Sequence, residues 1–358
     1  MRRVSIGIAV SWFWLCGSAL AEELPAVLMI ATGGTIAAVA DGQGAYVSGE
    51  LSPEVLVTAV PALAEMARLE TQQLVSIGSQ DMTPVIWLQL AKAIYQARQS
   101  EPDRAIVITH GTDTLEETAF FLDQLFPTGA PIVLTGAARP ATVPGADGPA
   151  NLLDAVRVAL SADSRQRGVL AVKAGQIHAA RQVSKRRAEG VAGFESPNGG
   201  PLGRISGGQV RFFRAPERLT QADLEPDLIH ELPAVAIVHV HAGASSELLS
   251  VLPDLGYKAV VLAGVGNGNA SAGMLATLGN LREKGLAVVR SSRSAAGWVS
   301  ANVEIDDVAL GFVAAADLPP AKARILLMLL LAFDVEFDRY QALFNQTRPI
   351  DWPQLAEP

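Results

Sequence analysis

The sequence predicts an α/β fold with two unequal domains: a larger N-terminal α/β domain with a mostly parallel sheet, and a smaller C-terminal α/β domain with a parallel sheet. Two observations support this expectation. Short runs of β-branched residues recur, and each ends in a Gly, Thr, Ser or Asn cluster before helix-like sequence begins. This pattern is typical of strand–helix units on a parallel sheet. A polar, proline-containing segment then separates two sets of such units.

Composition sets outer limits on the function. The chain has 358 residues, of which 49% are hydrophobic and 18% charged, which is enough to bury one large core or two ordinary ones. The net charge of −8 gives no electrostatic reason to expect a nucleic acid or an anionic lipid as partner. The one short basic run, at 185–187, does not change that.

The N-terminus has the pattern of a secretory signal over residues 1–21. Two arginines precede an apolar run, and Ala-Leu-Ala then forms a cleavage pattern, so the mature chain is expected to begin at Glu22. A membrane anchor is the weaker alternative, because a span needs about 20 apolar residues. The single cysteine, Cys16, lies in the segment to be removed, so no disulfide is expected. We expect a periplasmic or secreted protein with no membrane attachment after cleavage.

Strands and helices follow from the same periodicities. Helices are predicted at 85–97, with Pro84 as the first helical residue, and at 321–333, where Lys322 and Arg324 favour a buried helix over a membrane span. Strands are predicted at 27–30, 105–109, 132–135, 169–172, 235–240, 259–262 and 286–289.

The polar stretch at 214–231 predicts a linker between the domains. The expected organisation is therefore an N-terminal domain at 22–213 and a C-terminal domain at 232–358. Ligands of open parallel sheets bind beyond the carboxyl ends of the strands, so the residues just after each strand are the candidates for chemistry.

The first predicted strand ends in Ala-Thr-Gly-Gly-Thr-Ile-Ala at 31–37. Paired glycines allow a tight turn and a close approach to a ligand, which makes Gly34 a candidate substrate contact, while Thr35 presents a hydroxyl. The segment matches neither Gly-x-x-x-x-Gly-Lys-Ser/Thr nor Gly-x-Gly-x-x-Gly, the two glycine-rich patterns that bind phosphate groups. Taken alone, a structural Gly-Gly turn explains this segment equally well.

The second predicted strand leads into Thr-His-Gly-Thr-Asp-Thr-Leu-Glu-Glu-Thr at 109–118. Thr114 and Glu117 have the spacing of a capping box that opens a helix. Thr112 and Asp113 would then lie at the strand-to-helix junction and face the crevice. A helix-entry carboxylate beside a turn hydroxyl is the structural alternative that this segment alone leaves open.

Read together and in order, these segments resemble the signature blocks of the bacterial type II (periplasmic) L-asparaginases, in the asparaginase/glutaminase family. The similarity extends over essentially the whole chain after the signal. The blocks are ATGGTIA at 31–37, IGSQDM at 77–82, ITHGTDTLEETAFFLD at 108–123, DGPANLLDAV at 147–156, VSK at 183–185, SPNGGPLG at 196–203, AGVGNGN at 263–269 and RSSR at 290–293.

The resemblance implies the catalytic roles. Thr35 matches the nucleophile that attacks the side-chain amide and forms an acyl-enzyme, and Tyr46 matches the tyrosine that helps to take its proton. Thr112, Asp113 and Lys185 match the second catalytic group, and the first two also contact substrate. How the two threonines divide the work stays open, and an exposed surface charge is the alternative for Lys185.

The resemblance also implies the recognition groups. Ser79 is expected to bind the substrate carboxylate, while Gln80, Asp113 and Glu304 hold its ammonium group and Asn269 supports the pocket. In relatives the last two come from a neighbouring subunit, so a symmetric homotetramer is implied. No cofactor and no metal is expected.

The implied activity is hydrolysis of L-asparagine to L-aspartate and ammonia. Gln80 and Asn269 are similar to the asparagine-preferring members, with weaker L-glutamine hydrolysis, since one methylene is worth about 1 to 3 kcal/mol of discrimination. Three alternatives remain: a glutamine-preferring enzyme, an exported solute-binding protein, and a metal pair formed by His239 and His241. A serine hydrolase elbow, Gly-x-Ser-x-Gly, is not in the sequence.

Overall fold

The computed structural model describes residues 24–41, 45–215, 223–347, 349–350 and 352. The predicted signal at 1–21 and its Cys16 lie outside the described residues. Within these ranges, no helix combines the length and the apolar character that crossing a bilayer requires.

The described strands are named in chain order, and most of them are short. They are β1 (Ala26–Gly33), β2 (Val39–Ala40), β3 (Tyr46–Val47), β4 (Arg68–Ile77), β5 (Ala105–Thr109), β6 (Ile132–Thr135), β7 (Val169–Lys173), β8 (Gln176–Ala179), β9 (Ser184–Lys185), β10 (Phe194–Glu195), β11 (Gly203–Ser206), β12 (Gln209–Phe212), β13 (Val235–His239), β14 (Ala259–Gly264), β15 (Ala287–Ser292) and β16 (Val313–Ala314).

The described helices are named in the same way, and short 3-10 helices are identified by their ranges where needed. They are α1 (Pro53–Thr58), α2 (Ala62–Met66), α3 (Pro84–Ser100), α4 (Leu115–Leu125), α5 (Gly148–Leu160), α6 (Glu247–Ser250), α7 (Ala272–Glu283), α8 (Asp307–Leu310), α9 (Pro320–Ala332) and α10 (Tyr340–Phe344).

Two sheets organise the chain. The larger has eight strands in the order β12-β11-β8-β7-β6-β5-β1-β4, parallel from β7 to β4 and antiparallel at the other end. The smaller has four strands in the order β13-β14-β15-β16, all parallel. The predicted fold class is confirmed, and each predicted strand overlaps a strand of these sheets.

Helix α9 lies between the two sheets. It packs on α4 beside the large sheet and on β13, β14 and β15 of the small one. Its residues 325–330 are at most 2% exposed. The predicted buried helix is therefore confirmed, and a single apolar cluster extends across both halves of the chain.

The predicted helix at 85–97 is confirmed, and it runs on to Ser100 as α3. Pro84 occupies its first turn, where a missing N–H costs nothing, and Thr83 caps it by accepting a hydrogen bond from the N–H of Ile86 at 3.3 Å.

The predicted capping box before α4 is wrong in its side-chain contacts. Thr114 is the N-cap residue, but its hydroxyl makes no cap hydrogen bond and instead donates to the carbonyl of Ser79 at 2.7 Å. The Glu117 carboxylate lies 3.9 Å from the guanidinium of Arg324. Tertiary partners therefore replace the local pair.

The described part of the 214–231 segment packs on the N-terminal helices. Arg98 pairs with Asp223 at 2.6 Å, and Lys92 pairs with Asp227 at 2.9 Å. These contacts hold the connection against α3. Its role as a linker between domains stays a prediction.

Candidate active site

The two threonine turns meet at the carboxyl edge of the large sheet. They follow β1 and β5, which are parallel neighbours. A Cβ atom on Gly34 would lie 2.4 Å from the Cα of Gly111, so the two backbones are in contact at this point. Thr35 follows the first turn and Thr112 follows the second. Neighbouring turns thus bring two distant parts of the sequence into one region.

Glycine is required in the first turn because of its backbone and its neighbours. Gly33 and Gly34 have φ of +99° and +81°, the region that favours glycine. A Cβ on Gly33 would lie 2.4 Å from the carbonyl oxygen of Ile77, and the N–H of Gly34 donates to that oxygen at 2.8 Å. Thr35 then opens a 3-10 helix at Thr35–Ala37.

Tyr46 reaches Thr35 from the following hairpin. The two hydroxyl oxygens are 3.3 Å apart. Strands β2 and β3 form the hairpin, and the Ala40 N–H donates to the Thr142 hydroxyl at 2.9 Å, which ties the hairpin to the large domain. Tyr46 is 46% exposed, so this pair lies at the solvent edge. The tip of the hairpin, at 42–44, lies outside the described residues.

Lys185 joins the second group. Its ammonium lies 3.0 Å from the Thr112 hydroxyl and 2.5 Å from the Asp113 carboxylate. Its side chain is only 20% exposed, whereas Arg186 and Arg187 are exposed. The alternative of a solvated surface lysine is therefore wrong for this residue.

Two contacts hold the Lys185 backbone in place. Strand β9 pairs with β10, where Lys185 lies opposite Phe194. The Lys185 N–H donates to the Glu116 carboxylate at 3.1 Å. Glu116 lies on α4, and Thr112 and Asp113 immediately precede that helix. The start of α4 therefore holds both the backbone and the ammonium group of Lys185.

Ser79 lies beneath the second turn. It is 4% exposed, and its hydroxyl accepts a hydrogen bond from the Asp113 N–H at 3.1 Å. A Cβ on Gly111 would lie 2.6 Å from this hydroxyl, so the contact requires glycine there. Gln80 follows in the 3-10 helix Ser79–Asp81, with its side chain exposed.

His110 is a fully buried structural donor. Its Nδ1 lies 2.7 Å from the Gly111 carbonyl, which can only accept, so this nitrogen carries the proton. The Trp87 N–H donates to the Thr118 hydroxyl at 2.9 Å, and that hydroxyl donates to His110 Nε2 at 2.9 Å. Burial lowers the pKa of His110 to about 4, so a neutral ring holds the turn at physiological pH.

Asn269 and Glu304 lie together in the loops that follow β14 and β15 of the small sheet. The Asn269 amide donates to the Glu304 carboxylate. Among the described hydrogen bonds, none joins this pair to Thr35, Thr112 or Lys185. Within the same part of the structure, the amide oxygen of Asn269 is buried without a partner.

A buried ion pair that sequence reasoning missed positions these two residues. Arg290, which is 0% exposed, donates to Asp307 at 2.6 and 2.7 Å and to the Asn267 carbonyl at 2.8 Å. It thus connects the loop that carries Asn269 to the loop that carries Glu304. The available signal was an arginine inside the apolar run of β15, because a charge there needs a buried partner.

The cavity between the two sheets is not lined by Thr35 or Thr112, and His239 and His241 have no third metal-ligating side chain near them among the described residues. The cavity has a volume of about 530 Å³ and is lined by residues that include Glu116, Ser184 and His239, but by neither threonine. The His241 ring contacts its neighbouring carbonyl. Within the described ranges, no three acidic, histidine or cysteine side chains gather as metal ligands.

Comparisons with known proteins match this arrangement. The family model described as "Asparaginase, N-terminal" matches residues 26–218, and "Glutaminase/Asparaginase C-terminal domain" matches 234–344. The chain is 44% identical to "L-asparaginase 2" of Escherichia coli over 92% of this chain and 95% of that protein. It is 44% identical to "Probable L-asparaginase periplasmic" of Haemophilus influenzae, with 87% and 90% covered.

Two further similarities extend the comparison. "Glutaminase-asparaginase" of Pseudomonas fluorescens is 38% identical, with 90% of both chains covered. The crystal structure of a probable cytoplasmic L-asparaginase from Campylobacter jejuni is 37% identical, with a TM-score of 0.84 over 89% of this chain and 99% of that one. Since the two family models cover both sheets and the turns that carry the threonines, the chain belongs to the asparaginase family.

Proposed function

We propose that the protein hydrolyses L-asparagine to L-aspartate and ammonia through a threonine acyl-enzyme, with weaker activity on L-glutamine. One observation carries the proposal: Lys185 lies 3.0 Å from the Thr112 hydroxyl and 2.5 Å from Asp113, beside the turn that presents Thr35. An alcohol needs such activation to attack an amide. The L-asparaginases among its relatives support the substrate.

Thr35 is the proposed nucleophile. Its oxygen attacks the side-chain carboxamide carbon while its proton passes to the hydroxyl oxygen of Tyr46, 3.3 Å away, and the hydroxyl passes its own proton on toward the amide nitrogen, so Tyr46 stays neutral. The carbon–nitrogen bond then breaks, and the nitrogen leaves as ammonia with this relayed proton. Water hydrolyses the resulting ester, which releases aspartate and restores the Thr35 hydroxyl.

Thr112 is proposed to act on the reacting carbonyl or on the attacking water. A lysine ammonium can only donate, so the Thr112 oxygen accepts from Lys185. The proton of the Thr112 hydroxyl is then free to point into the pocket. Asp113 balances the ammonium charge at 2.5 Å and keeps it in place.

The remaining contacts recognise the free amino acid. We propose that Ser79 binds the α-carboxylate, close to the buried backbone of Gly34. Gln80 and Asp113 hold the α-ammonium. The Ser79 hydroxyl already contacts the Asp113 N–H at 3.1 Å, so both groups border the same space.

Asn269 and Glu304 are proposed to complete the pocket of a second subunit. Both lie in loops that follow strands of the small sheet and bond to each other, and no described hydrogen bond joins them to the threonine turns of their own chain. The exposed Glu304 carboxylate would pair with the substrate ammonium. In a symmetric homotetramer, every subunit would supply this carboxylate to the site of a neighbour.

Export and domain organisation complete the proposal. A signal at 1–21 would direct the chain to the periplasm or outside the cell, in agreement with the periplasmic relative. The proposed domains are 22–213 and 232–358, joined by a linker at 214–231. The two sheets and the two family-model matches support this division.

The first prediction concerns the threonines. Purified protein should release ammonia from L-asparagine, and Thr35→Ala and Thr112→Val should each lower kcat at least about 10³-fold, because each removes a reacting group. Thr58→Val is the matched control, since its exposed hydroxyl only bonds the Glu54 carbonyl at 2.8 Å. Binding of asparagine without ammonia release would favour a solute-binding protein.

The second prediction concerns preference. We expect kcat/KM for L-asparagine to exceed that for L-glutamine by about 10- to 200-fold, as one methylene allows. Steady-state kinetics with both amino acids measure the ratio. A ratio below one would make the protein a glutamine-preferring enzyme.

The third prediction concerns shared sites. Thr35→Ala and Glu304→Ala chains, each nearly inactive, should regain about a quarter of wild-type activity when refolded together, since half of randomly paired dimers hold one intact site of two. Thr35→Ala mixed with Thr112→Val is the control, because both lesions affect the same half of the site. Without recovery in the first mixture, each chain builds its own complete site.

The fourth prediction concerns export. Mass spectrometry of protein from the periplasmic fraction should find Glu22 as the first residue, because cleavage follows a small residue. Ala21→Leu should leave the precursor uncut. An intact N-terminus in the wild-type protein would contradict the signal assignment.

A further inference from the structure

Lys322 is a buried cation that the proposed chemistry does not use. It lies on α9 and is 1% exposed. Its ammonium donates to the carbonyls of Ala180 at 2.8 Å, Arg181 at 2.9 Å and Val183 at 2.5 Å. Burying a lysine is costly unless its donors are satisfied, and here all three are.

The three carbonyls belong to one turn that leads directly into β9. The N–H groups of Gln182 and Val183 both donate to the Ala179 carbonyl, at 3.0 and 2.9 Å. The carbonyls of this tight turn point to one side, where the Lys322 ammonium donates hydrogen bonds to them. Lys185 comes two residues after the turn.

We propose that Lys322 is a positioning residue: its ammonium fixes the 180–183 turn and thereby sets the reach of Lys185 to Thr112 and Asp113. This inference rests on the proposed function of Lys185. The helix that carries Lys322 packs on the small sheet, so the C-terminal half of the chain controls the geometry of a group in the N-terminal half.

A second contact from the same half holds the turn. Asp317 lies just before α9, pairs with Arg181 at 2.5 Å and accepts a hydrogen bond from Gln182 at 3.2 Å. Both partners of this ion pair are nearly buried, with side chains 10% and 8% exposed. The turn is therefore held through its backbone by Lys322 and through its side chains by Asp317.

Burial lowers the pKa of Lys322 to about 8, against the opposing attraction of Glu116. Above that pH, a neutral amine offers two N–H groups to three carbonyls, and one carbonyl loses its partner. The charged or titratable groups around it are Glu116, Arg181, Asp317, Asp123, His178 and Glu117.

As the pH rises above about 8, the contribution of Lys322 to the stability of the protein and its hold on the 180–183 turn change in opposite directions. The folded pKa of about 8 lies below the ordinary 10.5, so the unfolded chain binds more protons between these values. The contribution of Lys322 to the free energy of unfolding therefore rises with pH over that window, while its hold on the turn weakens. A purely structural lysine would not separate these two quantities.

The test compares Lys322→Met with Arg324→Met. The control removes a cation from the same helix, but one that donates to the Val235 carbonyl at 3.1 Å on the small sheet. We expect Lys322→Met to lower kcat by on the order of 10²-fold, because a displacement of about 1 Å has that effect, with KM changed less than about threefold. The control should stay within about twofold of wild type. Wild-type kcat in folded Lys322→Met would overturn the inference.

Chemical rescue tests the need for the ammonium itself. In Lys322→Ala, n-propylamine replaces the three missing carbons and the nitrogen, and the 530 Å³ cavity that Lys322 lines gives it access. We expect the amine to raise kcat at least about tenfold in Lys322→Ala and not in Arg324→Ala. A folded Lys322→Ala that does not respond would overturn the inference.

Hydrogen exchange separates this inference from the proposed function. Amides at 181–187 should exchange faster in Lys322→Met than in wild type, whether or not ammonia is released, so an inactive wild type contradicts only the function. If neither variant folds, wild-type exchange at 181–187, corrected for its intrinsic pH dependence, should accelerate from about pH 7 to about pH 9. Unchanged protection there would overturn the inference.

Discussion

The contact between the Gly34 and Gly111 backbones is the constraint on which the rest of the site depends. The atoms are so close that a single added Cβ would lie 2.4 Å from its neighbour. This approach brings together the two turns that carry Thr35 and Thr112. The neutral, buried His110 and the hydroxyl of Ser79 fix the second turn from below. The two threonines proposed to react therefore follow neighbouring strands of the large sheet, whereas Tyr46 comes from an exposed hairpin.

Cations with fixed partners then order the structure around this contact. Half-buried Lys185 pairs with Asp113, buried Arg290 pairs with Asp307, and the buried Lys322 ammonium donates hydrogen bonds to backbone carbonyls. Each charge would be costly to bury alone, so each dictates where its partners must lie. Since α9 carries Lys322 and packs on α4 and on the small sheet, the two halves of the chain are connected by polar contacts with fixed directions as well as by apolar packing.

Local sequence patterns predicted the fold class, whereas the family resemblance grouped Thr112 with Lys185, and the structure joins those two at 3.0 Å. The strand predictions are correct because strands that are buried on both faces of a parallel sheet have continuous apolar sequences. The capping box failed because the Ser79 carbonyl, more than thirty residues away, took the Thr114 hydroxyl. The Lys322 contacts span about 140 residues, and no local pattern reports a pairing of that range.

The Asn269 and Glu304 pair is the basis of the proposal that each site draws on two subunits. Glu304 is exposed and yet held by its neighbour, and that neighbour is anchored through the fully buried Arg290 and Asp307. Anchoring an exposed carboxylate so firmly restricts its rotamers without burying apolar surface, which by itself weakens the folded state. Such rigidity becomes useful when the carboxylate must meet a charged group at a defined place, since a preorganised charge needs no reordering on binding. In the proposed homotetramer, that charged group would be the substrate ammonium at the threonine turns of a symmetric neighbour.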